Sequence, residues 1–163
     1  MIKLIRNLIF FGIVFLTGYL FGIKHIKFFK IVSSSMEPTL KVGDKIISVK
    51  PDKIKRKDIV VLISPVGEKE ILTKRVIGLP NEKVKIEKGY VYINQEKIEE
   101  PYIKEKPNYL LEEIEIPPDS YFLLGDNRNE SEDSKDWGPI KKELIIGKVV
   151  LIYSPIKNFK IFK

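Results

Sequence analysis

"EILTKRVIG", residues 70–78, sets the reading of this chain. Side chains alternate along an extended strand, so Leu72, Lys74 and Val76 share one face while Thr73, Arg75 and Ile77 share the other. The stretch therefore predicts a strand that sets a lysine between two apolar neighbours. Similar short runs lie on either side of it: "KIISV" 45–49, "DIVVLIS" 58–64, "KVKIE" 83–87, "YVYI" 90–93, "YFLLG" 121–125 and "IIGKVVLIY" 145–153. Strands at this spacing, with Gly and Pro between them, predict a mainly β, antiparallel domain rather than βαβ units. "YVYINQEKI", 90–98, predicts a hairpin that turns at Asn94 and Gln95. The Pro-, Glu- and Lys-rich stretch 99–118 reads as a long exposed loop, and no internal repeat is present.

Before Ser33 the character changes. Residues 7–23, "NLIFFGIVFLTGYLFGI", carry no charge, and as a helix these 17 residues would be roughly 26 Å long. That is slightly short for a bilayer core, a gap that snorkelling of Arg6, Lys24 and Lys27 or local thinning would close. The expectation is a single N-terminal transmembrane helix. A cleaved secretory signal, disfavoured because no small-x-small site follows, and a buried core helix are the alternatives. Lys3, Arg6 and the terminal amine on one side balance Lys24, Lys27 and Lys30 on the other, so the positive-inside rule does not orient the helix.

With 163 residues, 44% of them hydrophobic, the chain has room for one anchor and one compact domain. The division expected is 1–30 for the anchor and its basic juxtamembrane segment, and 31–163 for the β domain. Cysteine is absent, which excludes disulfides, a thiol nucleophile and thiolate metal sites, and the lone His25 leaves little for a metal. The net charge of +7 is uneven. Residues 1–58 hold 12 Lys+Arg against 4 Asp+Glu, and residues 59–163 hold 17 against 18. Basic residues beside an apolar segment are drawn to anionic lipid by roughly 1 kcal/mol each. Nucleic acid is the rival partner, but no DNA-binding helix pattern or RNP-like motif is present.

"SSSMEPTL", 33–40, offers serine nucleophiles, which need a base. A Ser-His-Asp arrangement would have to use His25, at the expected membrane edge. The remaining candidate is a lysine made neutral by burial. A depression of about 2 to 3 units from about 10.4 would give Lys74 substantial free amine near neutral pH. On spacing alone, in a chain with so many lysines, the ordinary outcome is a strand that carries Lys74 outward into water. The third segment, "GDNRNESEDSKDWG", 125–138, fails as a calcium loop: Arg128 falls on a liganding position, with no glycine sixth or glutamate twelfth. Its Trp137 predicts a loop packed down on the domain.

"SSSMEPTL", "TKRVIGLP" and "GDNRNESEDSKDWG", in that order, resemble the bacterial type I signal peptidases, membrane-bound serine proteases with a Ser-Lys dyad. The resemblance runs from Ile31 to Tyr153, and "VYINQEKIEEPYI" looks like that family's hairpin before its variable loop. It implies Ser35 as nucleophile and Lys74 as general base. Ser33 falls where a hydroxyl joins the Ser35 N–H in an oxyanion hole, and Ser131 where a serine orients the lysine. Asp126 would pair with Arg75, and Asp133 would join the loop's ion pairs. Ile31, Met36 and Leu72 are the expected walls of shallow apolar pockets. The resemblance implies no cofactor and no metal. The implied substrates are preproteins with small residues at −1 and −3, cut on the outer face of the cell membrane by a single-pass enzyme in contact with anionic lipids. Three positions depart from the family's pattern: Lys135 replaces a usual arginine, which puts a bidentate pair with Asp133 in doubt, Ser34 replaces a glycine and Asn129 an aspartate. The short span between the lysine and loop segments leaves only a hairpin insertion, about 79–120. A narrower peptidase for pilus or conjugation proteins and a non-catalytic membrane-anchored binding module are the rival functions.

Overall fold

In the computed structural model, residues 2–162 are described, with no account of the side chains of residues 2, 4 and 20–24. Helix α1, Ile2–His25, leads directly into β1, Ile26–Lys30. There follow β2 (Lys45–Val49), β3 (Ile59–Ile63), β4 (Ile71–Gly78), β5 (Lys83–Glu87), β6 (Tyr90–Ile93), β7 (Glu96–Lys97), β8 (Leu111–Glu115) and β9 (Ser120–Leu124). A short helix α2, Ser134–Trp137, precedes β10 (Ile140–Lys141), β11 (Ile145–Ser154) and β12 (Lys160–Ile161). One sheet has the order β1-β2-β11-β3-β4-β9-β10 with β12 also on β11, and the other has the order β7-β6-β5-β8. Every pairing is antiparallel.

Strand β3 shows why the larger sheet is stable. Its apolar run is buried on both faces: Ile59 and Val61 join a core with Met36, Leu40 and Ile46, while Val60 and Leu62 join another with Val76, Leu123 and Ile140. A central strand covered on both sides reads as a continuous β-branched stretch rather than an alternation. A third core takes Ile77 and Phe122 from the larger sheet and Val84 and Ile86 from the smaller one. The hairpin turns where expected. Asn94 and Gln95 have φ of 50° and 71° and close the Ile93–Glu96 pair, as a two-residue turn with both φ positive requires.

Three expectations change. Residues 99–118 are not an exposed loop: β8 pairs with β5, Tyr102 and Tyr109 pack on the third core, and Ile116 is buried in it. The strand escaped its sequence signature because a register shift opposite Val84–Ile86 lets Leu111 and Ile114, three residues apart, face the same core. Residues 26–30, expected in the juxtamembrane segment, form a strand in full register with β2, from Ile26 opposite Val49 to Lys30 opposite Lys45. Of the apolar side chains in "FFKIV", 28–32, only Phe28 and Val32 stay exposed, whereas Ile31 is core. Lastly, α1 is a helix as expected, but among the described residues no helix is long and apolar enough to cross a membrane. The span expected over 7–23 runs into 20–23, whose side chains lie outside the described residues.

Candidate active site

The serine turn hangs from two buried anchors. Ile31 exchanges backbone hydrogen bonds with the 43–44 turn, its N–H donating to Asp44 O at 2.8 Å and its carbonyl accepting from Gly43 N at 2.9 Å. Met36 is buried in the same core and its carbonyl accepts from Leu40 N at 2.9 Å. Residues 33–35 bulge between these anchors toward a cleft of about 430 Å³. Ser35 is 9% exposed, and its Oγ lies 3.2 Å from Ser33 Oγ.

Opposite stands β4, held between β3 and β9, and Lys74 reaches the same cleft from it. The lysine is 3% exposed, so the strand does not carry it into water. Its Nζ donates to Ser131 Oγ at 2.9 Å. Burial is the main influence on the amine, against Asp133, Glu132 and Asp136, which favour the charged form, while Lys135 opposes it. The outcome is a pKa lowered from 10.5 to about 8. Desolvation wins because the carboxylates act from the loop rather than by contact with the amine.

The loop after β9 joins serine turn and lysine. Asn127 N–H donates to Ser35 O at 3.0 Å, and its Nδ2 to Ser34 O at 3.3 Å. Gly125 sits between the two, where a Cβ would overlap both Ser131 Oγ and Ser35 O, so no larger residue fits. Asp133 organises the loop: it accepts from Gly125 N at 2.9 Å and caps α2 in a reciprocal box with Asp136. Arg75 forks onto Asp126 through Nε and Nη2 at 2.7 and 2.6 Å, the bidentate geometry that fixes both planes. Lys135 makes only a loose approach to Asp133, 3.8 Å, and instead donates to Asp136 Oδ2 at 2.7 Å and to Ser131 O. A point-like ammonium spreads its contacts where a guanidinium would fork.

Serines 33, 35 and 131 and Lys74 thus come together, with Arg75 and Asp126 paired behind them and Asp133 under the loop. Leu72 lines the cleft with Trp137, Val66, Glu70 and Glu132. Ile31 and Met36 do not line it: both point into the core, since the turn needs them as anchors. Sequence reasoning missed Asn127, Gly125's steric role and the pair Arg128–Glu100, whose partners lie 28 residues apart with no spacing signal. Among the described residues no cluster has the ligands to hold a metal ion.

A hydroxyl and a buried, partly neutral amine in one cleft of an antiparallel β domain have the parts of a hydrolase. The family described as "Signal peptidase, peptidase S26" matches residues 2–154. Signal peptidase I U of Bacillus subtilis is 34% identical over 172 residues, covering 96% of this chain and 91% of that protein. Signal peptidase I of Leptolyngbya laminosa is 40% identical over 78% of this chain and 68% of its own length. The probable signal peptidase I-2 of Synechocystis is 36% identical over 77% of this chain, which spans 62% of that relative. The crystal structure of a signal peptidase I from Enterococcus faecalis matches with a TM-score of 0.55 and 29% identity, over 61% of this chain and 98% of that one. The chain belongs to the signal peptidase family, peptidase S26, and with it to the peptidases.

Proposed function

We propose that this chain is a serine endopeptidase that removes N-terminal signal peptides from exported preproteins. The observation that carries the reading is the water-poor Lys74 amine, held by Ser131 in the cleft that also holds Ser35. Neutral Lys74 takes the Ser35 proton as Oγ attacks the scissile carbonyl carbon, and the oxygen becomes an oxyanion. Collapse breaks the C–N bond, and the lysinium returns its proton to the leaving amine. Water then attacks the acyl ester, Lys74 accepts its proton, and that proton goes back to Ser35 as the ester bond breaks. The Ser33 hydroxyl, beside Ser35 Oγ, and the Ser35 N–H are the oxyanion donors. Losing one such donor typically costs about 3 to 4 kcal/mol of transition-state stabilisation.

Signal peptides with small residues at −1 and −3 suit a shallow cleft in which Leu72 is one apolar wall beside Val66 and Trp137. The α1 helix is the membrane tether in this reading: its exposed side chains from Leu8 to Leu16 are almost all apolar, and a helix apolar on all sides needs lipid or protein around it. Lys27 and Lys30, exposed on β1, would meet anionic head groups. The deciding experiment is preprotein processing in detergent by wild type, Ser35→Ala and Lys74→Ala. Wild type cleaves and each variant loses at least about 1,000-fold in kcat. Wild-type rates in both variants would end the proposal.

A further inference from the structure

Residues 100–104, which the sequence reads as loop, grip the active-site loop. Arg128 donates to Glu100 through Nη1 at 2.8 Å and Nη2 at 2.6 Å, and the two side chains are 0% and 6% exposed. Tyr102 Oη donates to Glu100 Oε1 at 3.0 Å, and its ring lies 4.0 Å from the Arg75 guanidinium. Lys104 N–H donates to Asp126 O at 3.0 Å. The remaining guanidinium donor of consequence, Arg128 Nε, reaches Gly125 O at 3.0 Å. Gly125 is the residue squeezed between Ser131 Oγ and Ser35 O, and its N–H is already fixed by Asp133. Both backbone polar groups of Gly125 are therefore held from outside the cleft.

A buried ion pair is a weak source of net stability, because desolvation offsets the attraction. What a forked pair supplies is direction: with both Nη atoms pinned on Glu100, Nε has one orientation left. We propose that Glu100 is a positioning residue for the peptidase reaction, acting through Arg128 to fix the Gly125 carbonyl and hence the packing of Ser131 against the Ser35 turn. This rests on the assignment of Ser35 and Lys74 as the reacting pair. Lys74 faces Asp133, Glu132, Asp136 and Lys135, and Glu68, Glu70 and Glu130 also line its cleft. None of these changes when Glu100 is replaced, and the negative charge that Glu100→Gln removes can only favour the neutral amine, so an upward move of the pH profile reports altered hydration of the amine.

The test compares steady-state cleavage of a preprotein between pH 6 and 10, together with thermal unfolding, for wild type, Ser35→Ala, Glu100→Gln, the double variant Glu100→Leu/Arg128→Met, and Val84→Ala. Glu100→Gln lowers kcat at least tenfold, leaves KM within twofold and moves the pH midpoint upward as water reaches Lys74. The double variant replaces the pair by apolar groups and regains thermal stability without regaining kcat. Val84→Ala, in the hairpin sheet, lowers the Tm and leaves both kcat and the midpoint in place. Wild-type kcat and midpoint in Glu100→Gln, or recovery of kcat together with Tm in the double variant, would overturn the clasp. Neither result touches the Ser35–Lys74 assignment, which instead falls if Ser35→Ala retains wild-type activity.

Discussion

Burial holds the Lys74 amine at a thermodynamic disadvantage, which the proposed chemistry puts to use. Its pKa is lowered in the folded state, from 10.5 to about 8, so below pH 8 folded and unfolded chains both carry the proton and the burial penalty is fully present. Between about 8 and 10.5 the unfolded chain binds more protons, and stability rises with pH. The gap corresponds to roughly 3 kcal/mol at neutral pH. Replacing the amine with an apolar group of similar length removes that penalty and loses one hydrogen bond to Ser131, worth about 1 kcal/mol. Lys74→Met is therefore inactive yet more stable by about 2 kcal/mol in urea unfolding at pH 7, and the advantage vanishes above pH 10.5. Ser131→Ala keeps the amine buried but frees its direction, and lowers kcat by about 10- to 100-fold with KM little changed.

At the level of elements, the serine turn and the loop after β9 meet at Gly125, and β4 reaches the same loop through Lys74 and Ser131. Gly125→Ala has no space for its methyl against Ser131 and the Ser35 carbonyl, so one contact must give. The expected result is at least a 100-fold loss of kcat in a chain that still unfolds cooperatively. The hairpin offers an independent check. Gln95 adopts φ of 71° without glycine's freedom, so Gln95→Gly raises stability by roughly 0.5 kcal/mol and leaves cleavage unchanged. These elements also show what the sequence could and could not reveal. Strands such as β2, β5 and β6 stood out because half-buried strands alternate. By contrast, β8 was hidden by a register shift and β1 by its attachment to an apolar run. The serines and Lys74 were legible from their segments, whereas Glu100 and Arg128 were not, because an ion pair that closes only in three dimensions leaves no periodicity.

For the whole molecule, the larger sheet carries α1 at one edge through β1 and the active-site loop toward the other through β9 and β10. If α1 is the tether proposed above, its attachment to β1 fixes the sheet, and with it the cleft, relative to the surface that α1 enters. Removal of residues 1–25 abolishes flotation with vesicles containing anionic lipid and leaves hydrolysis of a soluble peptide substrate within a fewfold of wild type. Retained flotation would assign membrane contact to the β domain instead. The central claim is that the Lys74 amine, poor in water, is the base for Ser35, and titration of its Nζ by NMR alongside kcat/KM tests it most directly. Both curves should have their midpoint near pH 8, with cleavage rising as the proton leaves. A midpoint near 10.5 for the amine, with cleavage flat from pH 6 to 9, would contradict it.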